Sequence, residues 1–434
     1  MAVPATSGDF LQLVEKSGLL TPELTVSVSK NLNREEDSAK LAAKAFVTAK
    51  LLTVFQAKQL LKGRWRGLCI DNYRLLYPVG AGGMGYVYAA QEEGSDWHVA
   101  LKVLAERFRR DAAMLTRIQL EAEAGMRLKH PNILRTWSTN RFDGGQGEFH
   151  YMVMELVKGI SVQEMVCLQK PIPVWRACDV VRQAAMGLQH AHDKGLVHRD
   201  VKPENLLVRT DGSVKILDFG LAMIDEHDEE FSMAMIMGQD RLGTADYVAP
   251  EQSINSYRID HRADIYSLGC TLYYSLVGQP PFPYKSVSVK IRCHRQKRPK
   301  AVTDFRDDVP DSVLQILEKM MAKRPERRFS EVEQIAVLLE SESRKEPVEF
   351  SFERILRARG RLAKRRELER LQRQRKDAES TQAHSNTIVA QDNGATIASI
   401  ASIASTASTA STDSTASTDS NPAKAVERKG SVDS

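Results

Sequence analysis

The chain has few cysteines, no long apolar run and no dominant charge sign, and each shortage removes a class of protein. Five cysteines, Cys69, Cys167, Cys178, Cys270 and Cys293, are scattered over 434 residues. None has the close pairing of a zinc or redox motif, so they read as thiols in a reducing compartment. No stretch approaches the roughly 18 uncharged apolar residues of a membrane span. The start, Met1 to Thr6, lacks a basic region followed by an apolar core. These absences predict a cytoplasmic protein with no transmembrane segment. The 61 Lys and Arg against 56 Asp and Glu leave a net charge of +5. That is slight for the length and argues against a nucleic-acid partner, unless a local basic patch revives the idea.

What is present is concentrated in Val197-His198-Arg199-Asp200-Val201-Lys202-Pro203-Glu204-Asn205, followed by Asp218-Phe219-Gly220. Leu206-Leu207-Val208 and Val214-Lys215-Ile216-Leu217 flank an Asp211-Gly212 turn signal, so the two motifs read as loop, hairpin and second loop. Two carboxylates and one amide thereby reach one mouth of a small sheet. Hard oxygens suit a phosphate-bound metal, and a further carboxylate aimed at a hydroxyl suits phosphoryl acceptance.

H-R-D-V-K-P-E-N with D-F-G beyond it resembles the catalytic and metal-binding loops of protein kinases. The resemblance implies that Asp200 orients the acceptor hydroxyl and takes its proton, and that Lys202 neutralises the transferring phosphoryl group. It also implies that Asn205 holds one magnesium ion and that Asp218 bridges metal and phosphates. Lys202 is the form seen in serine/threonine-directed members.

Upstream, Tyr73 to Val79 reads as a strand, Gly80-Ala81-Gly82-Gly83-Met84-Gly85 as a turn and Tyr86 to Ala90 as a returning strand. Glycines at 80, 82 and 85 let backbone amides approach phosphates. No Gly-Lys-Ser/Thr follows, which excludes the phosphate loop of GTPases and related ATPases. Val99-Ala100-Leu101-Lys102 completes the strand, loop, strand and lysine order of the kinase small lobe. The resemblance places Val87 and Ala100 on the adenine ring, Lys102 on the α- and β-phosphates and Met154 at the gatekeeper position. The backbone at Glu155 and Val157 would meet the adenine edge. With Gly80, Ala81, Gly82, Gly83 and Gly85 these form the expected site for ATP and magnesium, manganese being the alternative metal.

Lys102 needs a carboxylate to fix its long flexible ammonium. The helix expected from about Ala112 to Lys129 carries Glu121 and Glu123. The spacing of Glu121 from His130-Pro131-Asn132 matches the family's helix-C glutamate, with Glu123 remaining open.

Val174 to Lys194 reads as an amphipathic helix leading into the catalytic loop. His190 and His192, two residues apart, lie on different faces and read as structural or solvent-facing rather than as a metal pair. By resemblance, Gly243-Thr244 and Ala249-Pro250-Glu251 form a peptide-binding shelf, Thr244 contacts Asp200 and Lys202, Glu251 pairs with Arg328, and Asp264 ties down the catalytic-loop backbone. Residues 221–242 contain one hydroxyl, Ser232. Either a phosphate on Ser232 or a carboxylate such as Asp240 then meets Arg199 to order the segment.

Residues 1–70 read as a helical extension. Leu11, Leu13 and Val14 with Leu19 and Leu20 form a short amphipathic segment ending near Gly18, and a longer one runs from about Asp37 to Lys62. Leu13 to Thr21 and Phe46 to Thr53 echo each other, both ending in Leu-Leu-Thr, which suggests two similar helical halves. This extension resembles those of planctomycete-type bacterial kinases, a likeness that does not give its function; it reads either as a clamp on the small lobe or as a docking module for a regulatory partner. Residues 349–378 read as a basic helix, solvated and in some cases folding back on the kinase, or else touching an anionic surface or nucleic acid, and 380–434 as a disordered Ser/Thr/Ala-rich tail too polar to bury a core.

Together these readings give an α+β, bilobal, protein-kinase-like fold over 71–340. Its small lobe, about 71–157, is an antiparallel sheet, and its large lobe, about 158–340, is mainly helical. The implied activity is that of a bacterial Hanks-type kinase moving the γ-phosphoryl group of ATP to serine and threonine hydroxyls of proteins, its own included. A nucleotide-binding pseudokinase scaffold is the alternative.

Overall fold

The computed structural model describes residues 3–29, 37–82, 84–144, 148–169, 172–219, 244–254, 259–365, 368–369 and 372. The chain divides into two units, Met1–Ala363 and Lys364–Ser434, and the architecture that follows is that of the first.

The first unit opens with four short helices, α1 (Ser7–Ser17), α2 (Pro22–Ser29), α3 (Ala39–Thr48) and α4 (Val54–Leu60). Thr6 and Asp9 cap the start of α1 reciprocally, and Gly18 ends it in the left-handed region at φ 68°. The internal echo has a structural basis. Lys50 occupies the position of Gly18 before the second Leu-Leu-Thr, also left-handed at φ 59°, and Thr53 with Gln56 forms a capping box that starts α4. The segment from Asp37 to Lys62 is therefore two helices, because the left-handed residue and the cap break what helical spacing alone presents as one run. Phe10, Val14, Phe46, Leu52 and Leu60 are buried between these helices, each contributing about 1.5–3 kcal/mol.

The same cap docks the bundle on the following sheet. Thr53 Oγ1 donates to the Leu76 carbonyl at 2.7 Å and Gln56 Nε2 to that of Leu75 at 2.8 Å. Leu75 and Leu76 belong to β2 (Tyr73–Ala81), the second of six antiparallel strands that begin with β1 (Cys69–Ile70). The others are β3 (Gly85–Glu92), β4 (His98–Leu104), β5 (Thr136–Asp143) and β6 (Glu148–Glu155), in the order β1-β2-β3-β4-β6-β5. Between β4 and β5 runs α5 (Ala112–Arg127), whose first turn is capped by Asp111 accepting from the Met114 N–H at 3.1 Å.

A second sheet, β7 (Gly159–Ser161), β8 (Leu206–Arg209) and β9 (Val214–Ile216), carries the hairpin between the H-R-D and D-F-G motifs. It meets the first lobe where the Leu134 N–H donates to the Ile216 carbonyl at 2.9 Å and the Ile216 N–H to that of Asn132 at 2.8 Å. Helices follow: α6 (Val162–Leu168), α7 (Val174–His192), α8 (Arg262–Val277), α9 (Val287–Gln296), α10 (Asp311–Met320) and α11 (Glu333–Leu338). Nearly every residue of α8 is buried, as expected of a helix apolar on all sides. Gly269 allows its close approach to α10, since a Cβ there would lie 2.9 Å from Met320 Cβ. No helix among the described residues is long and apolar enough to cross a membrane.

Beyond the kinase-like fold, which the sequence reading ends near Glu340, the chain continues along the large lobe. Val348 and Ile355 are buried in the same core as α7 and α8, with Phe350 packed against it. The Val348 N–H also donates to the Thr210 carbonyl at 2.9 Å. These three apolar side chains hold the segment as a strap on a preformed surface. Residues 352–365 then form helix α12.

Candidate active site

Lys102, on β4, projects from the sheet toward α5. Its ammonium pairs with Oε1 of Glu121, which is 4% exposed, and lies 3.2 Å from Oδ1 of Asp218. Glu123 instead accepts from Gln119 Nε2 on the exposed side of α5. Of the two sequence candidates, only Glu121 reaches Lys102. The cleft walls disfavour charge at all three groups. For Lys102 the carboxylates of Asp218 and Glu121 outweigh that cost and raise its pKa. Burial dominates at Glu121 and raises its pKa, even though Lys102 opposes the shift. At Asp218 the nearby ammonium overrides desolvation and carries the pKa down to about 2, so this carboxylate is ionised at neutral pH. Its side chain is 47% exposed and open to a ligand.

The catalytic loop is held from beneath by α8. Asp264, fully buried, accepts from the backbone N–H groups of His198 and Arg199, both at 2.8 Å, and meets His192 Nε2 at 2.8 Å. Burial alone would raise its pKa, but the bond from His192 leads a set of contacts that lower it overall. These bonds offset a strained backbone at Arg199, whose φ is 62°; Asp218, at φ 55°, is also left-handed, a conformation costing about 1–2 kcal/mol in a residue with a Cβ. His198 Nε2 lies 2.8 Å from the Leu217 carbonyl, joining the two motif loops.

Above this base, Lys202 Nζ contacts both carboxylate oxygens of Asp200, at 2.9 and 2.7 Å. Asn205 Nδ2 donates to the Asp200 carbonyl at 2.9 Å. With the amide nitrogen engaged, the group Asn205 offers a metal is its oxygen. An ionised, half-open carboxylate and an amide oxygen are hard donors, and they fit a divalent cation that carries phosphate.

The nucleotide side shows two kinds of glycine. A Cβ on Gly80 or Gly82 would meet nothing within 4 Å, leaving room for a ligand against the Ala81-containing turn, whereas one on Gly85 would sit 2.0 Å from the Val103 carbonyl. Gly85 is thus required first by the β3–β4 ladder, a reason that glycine spacing does not reveal. Ala100 stands opposite Met154 between β4 and β6, and Val87 packs against the cluster containing both. The Glu155 N–H already donates to the Arg135 carbonyl at 2.8 Å, so any adenine contact from Glu155 would come from its carbonyl. Val157, after it, is 6% exposed. Gly83, Gly220, Gly243, Ser232, Asp240 and the Thr244 side chain lie outside the described residues.

On the acceptor side, Arg328 donates to Glu251 through Nη1 at 2.6 Å and Nη2 at 2.8 Å. Two supporting residues escaped sequence reasoning. His192 gave only a spacing argument, yet it contacts Asp264. Gln252 accepts from the Ala249 N–H and donates to the Arg199 carbonyl, both at 2.9 Å. It therefore ties the shelf to the catalytic loop, and no local motif announces it.

The chain is similar to known proteins in sequence. Serine/threonine-protein kinase PknB of Mycolicibacterium smegmatis is 33% identical over 261 residues, covering 60% of this chain and 41% of that protein. PknE of Mycobacterium tuberculosis is 37% identical over 263 residues, covering 61% and 44%. The crystal structure of the Mycobacterium tuberculosis PknI kinase domain has a TM-score of 0.49 at 28% identity, covering 64% of this chain and 99% of that one. The matches span less than half the length of the two full-length relatives. Residues 73–339 match the protein kinase domain, and the chain belongs to that family.

Proposed function

We propose that the chain transfers the γ-phosphoryl group of ATP to serine and threonine hydroxyls of proteins, its own among them. The observation that carries this reading is the gathering of Lys102, Asp218, Asp200, Lys202 and Asn205 at one cleft, with the lysine fixed by Glu121. Lys102 binds the nucleotide's phosphates and resists wandering because Glu121 holds it. Asp218 and Asn205 would hold magnesium, whose charge, when bound, offsets that of the phosphates. Asp200 accepts the hydroxyl proton as the acceptor oxygen bonds to phosphorus and the bond to the leaving ADP oxygen breaks. Lys202, against the same carboxylate, balances charge on the transferring group. A scaffold that only bound nucleotide would have no need of Asp200 and Lys202 so placed.

Residues 1–70, docked on β2, are proposed as a clamp on the small lobe and, through their exposed faces, a seat for a regulatory partner. Their likeness to planctomycete-type extensions rests on sequence.

The test uses labelled ATP and magnesium with the full chain and generic peptides carrying serine, threonine or tyrosine, beside Asp200→Asn. Transfer to serine and threonine by the wild type alone is expected. Nucleotide binding without transfer in either protein would replace this reading with a scaffold.

A further inference from the structure

The strap that follows the kinase domain does more than cover the large lobe. Its first part is anchored below the catalytic hairpin. Arg176 donates to the Glu346 and Pro347 carbonyls, both at 3.2 Å. Gly212, at φ +78°, lets the chain come so near that a Cβ there would lie 2.4 Å from the Glu346 carbonyl oxygen. Val348 and Ile355 then bury themselves in the large-lobe core. Four residues past Ile355, the chain delivers Arg359 to the rim of the nucleotide cleft.

There the guanidinium meets three elements at once. It forms a two-pronged pair with Glu164, Nε to Oε1 and Nη2 to Oε2, both at 2.7 Å. Nη2 also reaches the Gly159 carbonyl at 3.2 Å, and Nη1 lies 3.5 Å from that of Val79, at the outer limit of a hydrogen bond. Glu164 is in the first turn of α6, where it also accepts from the Ser161 N–H at 2.8 Å. Gly159 ends the segment joining the lobes, and Val79 directly precedes Gly80 of the glycine turn. The side chains of Arg359 and Glu164 are 18% and 26% exposed, so the pair is sheltered enough to exceed an open surface salt bridge. Arg359 lowers the Glu164 pKa despite the opposing effect of burial.

We propose that Arg359 is a positioning residue of the nucleotide site. It fastens the strap across the cleft rim, ties the strand entering the glycine turn to the large lobe, and so slows nucleotide release. A planar fork meeting a carboxylate and two carbonyls is a task for arginine, which lysine performs only in part. The consequence is that sequence beyond the kinase domain tunes ATP affinity without supplying an atom to the reaction. This inference rests on reading the cleft as a nucleotide site.

The test follows release of a fluorescent ATP analogue with magnesium from the full chain, chased with unlabelled ATP, for the wild type, Arg359→Ala and Arg359→Lys. Release from Arg359→Ala should be about tenfold faster, as expected for losing a sheltered charge-assisted pair. Its KM for ATP should rise to a similar extent, with kcat at saturating ATP within about twofold of the wild type. Arg359→Lys should fall between the two, and all three should melt within a few degrees. Unchanged release in both variants would overturn the proposal, as would a fall in kcat and melting temperature at unchanged KM, which marks a mere brace. If the wild type bound no nucleotide, the reading of the cleft itself would fall and this role with it.

Discussion

Replacing Asp264 by alanine tests how α8 supports the reaction without touching it. The carboxylate accepts two backbone N–H groups and faces His192, each contact at 2.8 Å, with no exposure to solvent. Alanine leaves the His198 and Arg199 N–H groups buried without acceptors, at about 1–3 kcal/mol each, and also strands the imidazole. The two N–H groups alone cost roughly 2–6 kcal/mol and the imidazole adds to this, against a stability of about 5–15 kcal/mol for a typical domain. It also removes the bonds that hold Arg199 at φ 62°, so Asp200 loses its fixed place. Thermal unfolding of the full chain should therefore drop by at least about 5 °C, and kcat should fall while KM for ATP changes little. Asp264→Asn, which keeps one acceptor oxygen, should lie between. The folded-state pKa of Asp264 is depressed, so its stabilisation is complete above the unfolded carboxyl range, about pH 4, and is lost as pH falls through the folded value. Asp264→Asn should accordingly flatten the acid limb of the stability profile. An Asp264→Ala protein that melts with the wild type and keeps its kcat would refute the reasoning.

Three further outcomes are expected. Arg328→Met should lose about 3–5 kcal/mol in denaturant unfolding because it leaves Glu251 uncompensated, and adding Glu251→Gln should restore part of the loss. Gly85→Ala should lower the melting temperature, since its Cβ meets the Val103 carbonyl, whereas Gly80→Ala and Gly82→Ala should spare stability and weaken ATP binding in a titration. Lys102→Met should reduce transfer by at least about 10²-fold, measured as initial rate, with the fold retained.

The gathering of Lys102, Asp200, Lys202, Asn205 and Asp218 was legible in the sequence because the motifs that hold them are local. The spacing of Glu121 from His130-Pro131-Asn132 pointed to the partner of Lys102 but left Glu123 open, and the contact itself separated the two. Long-range supports were less legible. Gln252 serves Arg199 across 53 residues and Arg359 serves Glu164 across 195, and nothing near either residue marks the contact. The burial of two apolar residues beyond the kinase domain was hidden for a related reason. Val348 and Ile355 show no period of their own, because they fill a surface built by other elements. The break at Lys50 stayed hidden because a left-handed lysine looks like any helical lysine, whereas Gly18 announces its turn.

The central claim is most directly tested by the initial rate of phosphoryl transfer from ATP and magnesium for the wild type and a contaminant-free Asp218→Ala protein, with modified residues mapped by mass spectrometry. The account predicts phosphate on serine and threonine in the wild type and a fall of at least about 10²-fold in the variant, which keeps its fold. Turnover by Asp218→Ala close to that of the wild type would contradict it.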